Sequence, residues 1–222
     1  MDRQVQSITA AETVPRMAAR AGLPTTAKGQ ETRQRITDAA AELIYEKGAA
    51  AVSLDDVRQA THTSKSQLYH YFEDKNDLVH AVIDRQTEHI LAFHRPKLAA
   101  LSSWDDIQRW RNAIVEAQAG RSCRSGCPLG SLANELAELD DTARTQLSGA
   151  FATWEQLLTQ GLASMIGSGA LRPGTDPAVL ALSTMASLQG GLLLAEVERD
   201  TRPLEVALDA AISHLKSFAP SH

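Results

Sequence analysis

The sequence predicts an all-α protein in which a small N-terminal helical domain is followed by a larger C-terminal helical domain. The chain of 222 residues is 43% hydrophobic and only 5% aromatic, which is enough to bury one substantial core or two small ones. Runs of alternating β-branched residues are few, whereas apolar residues recur at helical spacing along most of the chain. Several Ser and Asp residues also stand where they can cap helices.

Charge and cysteine content narrow the class of protein. The formal net charge is −5, which argues against a protein that coats nucleic acid along its whole surface. Residues 1–76 carry equal numbers of basic and acidic residues, so the remainder supplies all of the negative charge. Two cysteines cannot form a disulfide framework, and no basic-then-apolar signal peptide opens the chain. We therefore expect a cytoplasmic protein.

The N-terminal part divides into an arm and a first helix. Residues 1–28 show no helical periodicity and are interpreted as a flexible arm. A helix is predicted from about Glu31, because its apolar residues fall on one face. These residues are Ile36, Ala40, Leu43 and Ile44. Lys47 in the last turn and Gly48 at the C′ position mark its end, and the domain that it opens is predicted to span residues 29–76.

Two capping boxes follow in close succession. Ser53, with Asp56 three residues later, predicts the start of a second helix, which can run only to about Thr61. Ser64, with Gln67 three residues later, predicts a third helix within three residues of that end. Two short helices joined by a tight turn form the arrangement of a helix-turn-helix.

The third helix is predicted to present polar side chains outward. Leu68 and Phe72 lie four residues apart and face inward, which leaves the opposite side to polar residues. These residues are Lys65, Ser66, Gln67, Tyr69 and His70. Gln and Ser can reach base edges in the major groove, and Lys, Tyr and His can hold phosphates. The alternative is a solvated face in an ordinary helical bundle, which the two adjacent capping boxes disfavour.

Residues 31–78 resemble the DNA-binding domain of the TetR family of transcriptional regulators. Three stretches carry the resemblance: RITDAAAELIYEKG, VSLDDVRQA and SKSQLYHYFEDKNDL. It implies an N-terminal three-helix DNA-binding domain that contacts double-stranded operator DNA. The implied DNA-binding residues are Ser53, Thr63, Ser64, Lys65, Ser66, Gln67, Tyr69, His70 and Lys75. In the family pattern, Ser53 and Lys75 match positions that contact phosphate.

Two positions depart from the family pattern. His62-Thr63-Ser64 stands where family members usually have Gly-Val-Ser. The glycine position requires a left-handed backbone, which His tolerates better than most other residues, so we expect the turn to survive. Ser66 stands where glycine is common and adds a side chain close to the DNA. The resemblance therefore does not predict the operator sequence.

Six further helices are predicted after the third. The fourth has Asp74 as its N-cap and ends near Phe93, before Pro96. The eighth begins at Asp176-Pro177 and the ninth at Pro203. The apolar faces of the fifth, sixth and seventh are, in order, Trp104, Ile107, Trp110 and Ile114; Leu129, Leu132, Ala133 and Leu136; and Leu147, Phe151, Trp154, Leu158, Leu162 and Met165.

The last two helices carry the predicted dimer interface. Residues 178–195 form the longest apolar stretch, but polar and small residues interrupt it and no basic cluster flanks it. We interpret it as a buried or interface helix rather than a membrane span. The last helix has apolar residues at 4-3-4-3 spacing, which is more typical of a core than of an interface. The family resemblance implies a homodimer through these helices, with the contacts Leu182, Met185, Leu204, Leu208, Ala211 and Leu215.

The resemblance also implies a small-molecule effector, bound in a cavity of the domain that spans residues 77–222. Large aromatic residues and three polar ones are the candidates for its wall: Phe93, Trp110, Gln118, Asn134, Phe151, Trp154 and Gln189. Each aromatic residue is explained equally well as an ordinary core residue. The resulting hypothesis is a one-component regulator, most simply a repressor, that leaves a palindromic operator when a small, largely apolar molecule binds.

Other functions have weaker support in the sequence. Cys123 and Cys127 lack the third and fourth ligands of a zinc site, so neither a metal nor another cofactor is expected. Arg121 and Arg124 beside Cys123 would favour a reactive thiol, which leaves a redox-sensing regulator open, against two ordinary cysteines. No catalytic triad, phosphate loop or pair of carboxylates indicates an enzyme. A helical ligand carrier that has lost DNA affinity is the remaining alternative.

Overall fold

The computed structural model describes residues 24–124 and 126–220. Within these ranges the chain forms nine α-helices and no strand, in agreement with the predicted all-α fold. Their bounds are α1 Ala27–Lys47, α2 Leu54–Thr61, α3 Lys65–Tyr71, α4 Lys75–Ala99, α5 Trp104–Gly120, α6 Pro128–Leu136, α7 Asp141–Gly167, α8 Pro177–Glu198 and α9 Arg202–Lys216. Residues 1–23 of the predicted arm lie outside the described residues.

Helix α1 begins earlier than predicted. The hydroxyl of Thr26 accepts a hydrogen bond from the backbone N–H of Gly29 at 3.2 Å, so Thr26 caps the helix and the predicted arm boundary at residue 28 falls inside α1. This cap was not predicted from the sequence, because Gly29 and not an acidic residue stands three positions after Thr26, so no capping box is formed. The end of α1 is as predicted, with Gly48 at a φ of 86°.

Helix α4 does not stop before Pro96. It continues to Ala99 although proline removes one backbone donor from the helix interior. The ammonium group of Lys97 also donates to the Phe93 carbonyl at 2.8 Å within this stretch. Leu98 and Leu101 are both 1% exposed, and the burial of these two side chains favours the extension. As a result, one continuous helix joins the N-terminal helices to the C-terminal bundle.

The C-terminal bundle is built around α4, α7, α8 and α9. Helix α7 packs against both α4 and α8, and the most extensive contact between any two helices is that of α8 with α9. This close approach depends on Gly191, where an added Cβ would lie 3.0 Å from the Cα of Leu204. Arg111 on α5 donates through two guanidinium nitrogens to Asp209 on α9, both at 2.9 Å. Helix α5 is thereby held against the α8–α9 pair.

Five of the six predicted dimer contacts are wrong, because these side chains belong to the core of their own protomer. The buried residues are Met185, Leu204, Leu208, Ala211 and Leu215. In α9 the 4-3-4-3 stripe packs against α8 of the same chain. Only Leu182 of the six is exposed, at 58%.

A different face of α8 is apolar and uncovered. Its residues recur at 3-4-4-3-4 spacing and share one side of the helix: Val179, Leu182, Ala186, Gly190, Leu193 and Val197. We call this set the α8 outer stripe. By length and composition α8 could also cross a membrane, as could no other helix in the described ranges, and 44% of its most apolar window is buried in the protomer.

Candidate functional site

The two predicted capping boxes are both present. In the first, the Ser53 hydroxyl accepts from the backbone N–H of Asp56 at 3.2 Å, while the Asp56 carboxylate accepts from the N–H of Ser53 at 2.8 Å. In the second, the Ser64 hydroxyl accepts from the N–H of Gln67 at 3.2 Å, and the Gln67 side-chain oxygen accepts from the N–H of Ser64 at 3.0 Å. The start of each short helix is therefore set by its own sequence.

The turn between α2 and α3 has the predicted left-handed residue. His62 adopts φ 52° and ψ 32°, and its backbone N–H donates to the carbonyls at the end of α2. Thr63 was predicted to contact DNA, but it is only 5% exposed, and its hydroxyl lies 2.9 Å from that of Thr61. This prediction is corrected: Thr63 packs inside the turn and joins the ends of the two helices.

The outer face of α3 is as polar as predicted. Leu68 and Phe72 are each 1% exposed and anchor the helix to the N-terminal core, which turns the opposite side to solvent. The exposed residues there are Ser64, Lys65, Ser66, Gln67, Tyr69 and His70. We call this set the α3 outer face. The ammonium group of Lys65 lies 5.8 Å from the centre of the Tyr69 ring, so a positive charge sits over a half-exposed aromatic ring.

Two further predicted DNA contacts flank the α3 outer face. Ser53 is exposed at the start of α2. Lys75 is half-buried at the start of α4, and its ammonium group donates to the carbonyl of Ala50 at 2.9 Å. This bond occupies one of its three donors and leaves the others for a phosphate oxygen.

A cavity of about 220 Å³ lies inside the C-terminal bundle. It lies among α4, α5, α7, α8 and the segment that leads into α6, and it opens to solvent beside the exposed His89. We call it the inner cavity. Most of its wall is apolar or aromatic, as is usual for a small-molecule site. The lining residues are Gln86, His89, Ile90, Phe93, His94, Ile114, Ala117, Gln118, Arg121, Gly126, Cys127, Pro128, Trp154, Leu188 and Leu192.

Three of the seven predicted ligand residues line the inner cavity: Phe93, Gln118 and Trp154. Trp110 and Gln189 lie behind it. Trp110 donates through its indole N–H to Nδ1 of the lining residue His94 at 3.0 Å, and Gln189 lies against the thiol of Cys127. The prediction is wrong for Asn134, which is exposed on α6.

Phe151 also falls outside the inner cavity. Its ring stacks on that of Trp154 with the two centres 6.5 Å apart, and it is not among the lining residues. A larger groove of about 700 Å³ lies between the α1–α2 loop, α4 and α6, and it is lined by charged residues such as Lys75 and Asp140. It contains none of the predicted ligand residues. The inner cavity is therefore the better candidate for an apolar ligand.

His94 and Arg121 line the inner cavity but were not predicted from the sequence. His94 is 5% exposed, and burial lowers its pKa to about 3, assisted by the positive charge of Lys97. The imidazole is therefore neutral, and because Nδ1 accepts from Trp110, its proton lies on Nε2. His94 could have been suspected from its place among apolar positions of α4. Arg121 follows the end of α5, and nothing in the sequence indicates its orientation.

His94 predicts an acid-sensitive stability. Its folded pKa of about 3 lies below its unfolded value, so the unfolded chain binds more protons at intermediate pH and the folded state loses stability as the pH falls below about 6.5. Between pH 7 and pH 5 we expect this residue to remove about 2 kcal/mol from the free energy of unfolding. Urea unfolding at the two pH values measures the loss, and it should be smaller by that amount in His94→Gln. Equal losses in both proteins would contradict the assignment.

The two cysteines are buried and free. Cys127 lines the inner cavity, and burial raises the pKa of its thiol. The proton is therefore held, which makes Cys127 a weak nucleophile. Cys123 lies in the turn after α5 at a φ of 50°, and its carbonyl accepts from the guanidinium of Arg199 at 3.0 Å.

Contacts join the inner cavity to the N-terminal helices. Pro128 lines the cavity at the start of α6. At the far end of α6, the Glu135 carboxylate accepts from the backbone N–H of Ala49 at 2.6 Å. Gly48 makes room for this contact, since an added Cβ would lie 3.1 Å from the carboxylate. The Tyr45 hydroxyl also donates to the carbonyl of Arg124 at 2.8 Å.

Two parts of the chain match models of known protein families. Residues 36–82 match the model of bacterial regulatory proteins of the tetR family. Residues 105–211 match the model described as the Tetracyclin repressor-like C-terminal domain. The first match contains the α2–turn–α3 unit, and the second contains most of the C-terminal bundle.

Individual relatives extend over most of the chain. An uncharacterised HTH-type transcriptional regulator of Lactococcus lactis is 31% identical and covers 81% of this chain and 91% of its own. The HTH-type transcriptional repressor DhaR of a Mycobacterium species is 27% identical and covers 82% and 91%. The crystal structure of a regulatory protein TetR from Rhodobacter sphaeroides superimposes with a TM-score of 0.75 at 26% identity, over 82% of this chain and 98% of that one.

Proposed function

The chain belongs to the TetR family of bacterial transcriptional regulators, and on this premise we propose that it is a cytoplasmic repressor that binds a palindromic operator as a homodimer. A small, largely apolar effector in the inner cavity releases it from the DNA. The family and these relatives are transcriptional regulators and not enzymes, and repressors occur among them.

The observation that carries this proposal is the α3 outer face. Helix α3 and its N-cap Ser64 together present six polar side chains on one side, and the helix is held from the other side by Leu68 and Phe72. Reciprocal caps at both α2 and α3 fix the residue at which each helix begins. A recognition helix benefits from this, because its first turn must keep a fixed position in the major groove.

The contacts of Gln67 restrict which base atoms its side chain can bind. Its side-chain oxygen already accepts from the backbone of Ser64, so the amide NH₂ is the group left for a base. That group can donate only to acceptors, such as N7 and O6 of guanine or O4 of thymine. Lys65, Tyr69 and His70 are assigned to phosphates, together with Ser53 and Lys75 at the two sides.

Substitutions on α3 test these roles. Lys65→Ala should weaken binding to operator and unrelated DNA alike and reduce the slope of log K against log salt by about one. Tyr69→Ala should also weaken both. Gln67→Ala should lower the preference for one base pair by about 1–3 kcal/mol. Fluorescence anisotropy with the upstream intergenic DNA and base-substituted duplexes gives both affinity and preference.

The ratio of the affinities for operator DNA and for base-substituted duplexes serves as the control. Because Gln67→Ala also removes half of a capping box, some loss of affinity is expected for every sequence, but a weakened helix alone would leave the preference unchanged. If all three variants bound operator as the wild type does, with the same salt dependence, α3 would not be the recognition helix.

Release by an effector requires that the effector favour one arrangement of the two DNA-binding domains over another. Two elements connect the inner cavity to the DNA side. Helix α4 contributes five lining residues and begins at Lys75, beside the proposed DNA surface. Helix α6 has Pro128 at the cavity and Glu135 on the α1–α2 loop. A shift of 1–2 Å in either element is the size of movement that such switches use.

The alternatives have less support. A thiol-based sensor needs a thiolate, and burial raises the pKa of the Cys127 thiol. A ligand carrier without DNA affinity has no use for an intact α3 outer face. The α8 outer stripe supports a homodimer, since a contiguous apolar surface on a soluble protein marks an interaction site.

A further inference from the structure

Two residues of the inner-cavity wall carry buried hydrogen-bond donors without a partner among the described residues. Gln118 is 1% exposed and Trp154 is 2% exposed. The side-chain nitrogen of Gln118 and the indole nitrogen of Trp154 have no hydrogen-bond partner among the described residues, and both residues line the cavity. A buried N–H without a partner is costly to the folded state, so two at one cavity indicate that something else accepts from them.

The orientation of Gln118 is fixed by Arg121. The Arg121 guanidinium donates to the side-chain oxygen of Gln118 at 2.9 Å, which leaves the NH₂ of Gln118 as its unpaired group. Arg121 itself lines the cavity and brings a positive charge to its edge. His94 is neutral with its proton on Nε2, so its free nitrogen is a donor as well. Gln118, Trp154, His94 and Arg121 therefore all contribute donors to the wall.

The lining residues include no Asp or Glu. A ligand with an ammonium group would find no carboxylate there, and it would leave the donors of Gln118 and Trp154 unpaired. A ligand with a carbonyl or carboxylate oxygen would satisfy both, and Arg121 would favour the anion.

The volume limits the ligand's size. The volume of the inner cavity, about 220 Å³, is below the usual range for drug-sized ligands. The rest of the wall is apolar, with Ile90, Phe93, Ile114, Leu188 and Leu192 around the polar end. The space therefore suits a short hydrocarbon body with one polar end.

We propose that the effector is a compact molecule with an apolar body and a carbonyl or carboxylate oxygen that accepts from the side chains of Gln118 and Trp154. This inference rests on the proposed function for its biological meaning. Its chemistry, however, is carried by the wall alone and is tested by binding, without DNA.

Three probes with the same six-carbon body separate the chemistries. Isothermal titration calorimetry of the full-length protein with hexanoate, hexanamide and hexylamine should detect binding of hexanoate or hexanamide, with hexylamine at least tenfold weaker. Gln118→Met and Trp154→Phe each remove one donor and should weaken the better oxygen-bearing probe about tenfold. Gln156→Met makes the same chemical change as Gln118→Met at an exposed residue of α7 that does not line the cavity, and it should leave the affinity within twofold.

Several results would overturn the proposal. One is that hexylamine binds as tightly as the oxygen-bearing probes. Another is that both donor variants keep the wild-type affinity. A third is that neither hexanoate nor hexanamide binds at millimolar concentration. Failure of the proposed function is distinguishable, because it would appear as absence of operator binding by the protein without any probe, whatever the calorimetry gives.

Discussion

Gly190→Arg should give a folded monomer that has lost operator binding. Gly190 lies in the middle of the α8 outer stripe, and a Cβ added there would meet nothing within 4 Å in the protomer. Replacing a glycine inside a helix should raise the stability of the protomer by about 1 kcal/mol. In a dimer that packs α8 against its copy, the same side chain would place a bulky charge at the closest approach. Loss of the second DNA-binding domain should weaken operator binding about 100-fold or more.

The matched control is Gly149→Arg. Gly149 is also an exposed glycine within a long helix, and a Cβ there also meets nothing within 4 Å, but it lies on α7, away from the α8 outer stripe. That variant should remain dimeric and bind operator as the wild type does. Light scattering measures the mass of both variants, and anisotropy measures their affinity. A Gly190→Arg protein that is still a dimer with wild-type affinity would exclude this face as the interface.

Trp110→Ala should lower the free energy of unfolding by about 3–5 kcal/mol, which is the usual loss when a fully buried tryptophan is truncated. Trp110 is 0% exposed on α5, so truncation leaves a void in the bundle. Its indole N–H is also the donor to Nδ1 of His94, and the substitution leaves that buried acceptor without its partner. Because a domain of this kind is stabilised by about 5–15 kcal/mol in total, much of the protein's stability depends on this residue.

Trp104→Ala provides the comparison. Trp104 is the first residue of the same helix but is only partly buried, so the same truncation there should cost less than half as much. Urea denaturation, followed by circular dichroism, gives both values. A Trp110→Ala loss no larger than that of Trp104→Ala would show that the buried contact with His94 does not hold α4 and α5 together. Trp110→Phe keeps most of the side-chain volume, so its loss in the free energy of unfolding should fall between those of Trp110→Ala and Trp104→Ala.

The DNA-binding unit was predictable because its determinants are local. Each capping box involves residues three positions apart, so Ser64 and Gln67 specify the start of α3 without any distant contact. The inward positions of Leu68 and Phe72 also follow from spacing alone, whereas the left-handed backbone at His62 was expected from the glycine of the family pattern. Thr63 was misplaced because exposure in a tight turn depends on how two helices pack, which spacing does not reveal.

The C-terminal domain was predictable in its helices and less so in its surfaces. The 4-3-4-3 stripe of α9 was correctly identified as apolar, but it packs on α8 of the same chain. Helix α8 is apolar on more than one side, so periodicity cannot decide which side the protomer covers. Of the predicted ligand residues, Phe93, Gln118 and Trp154 line the inner cavity and Asn134 is exposed on α6, since the sequence does not indicate the direction of a polar residue near an apolar helix face.

The sequence by itself determined the all-α class, the start of each short helix of the N-terminal domain and the polar outer side of α3. These features depend on interactions within one or two helical turns, where chain connectivity already places the partners together. Only the tertiary structure decided which apolar stripe of the last two helices stays exposed and which donors of Gln118 and Trp154 are buried without a partner. Both depend on contacts between helices that are far apart in sequence, because burial is a property of the packed bundle and not of any one segment.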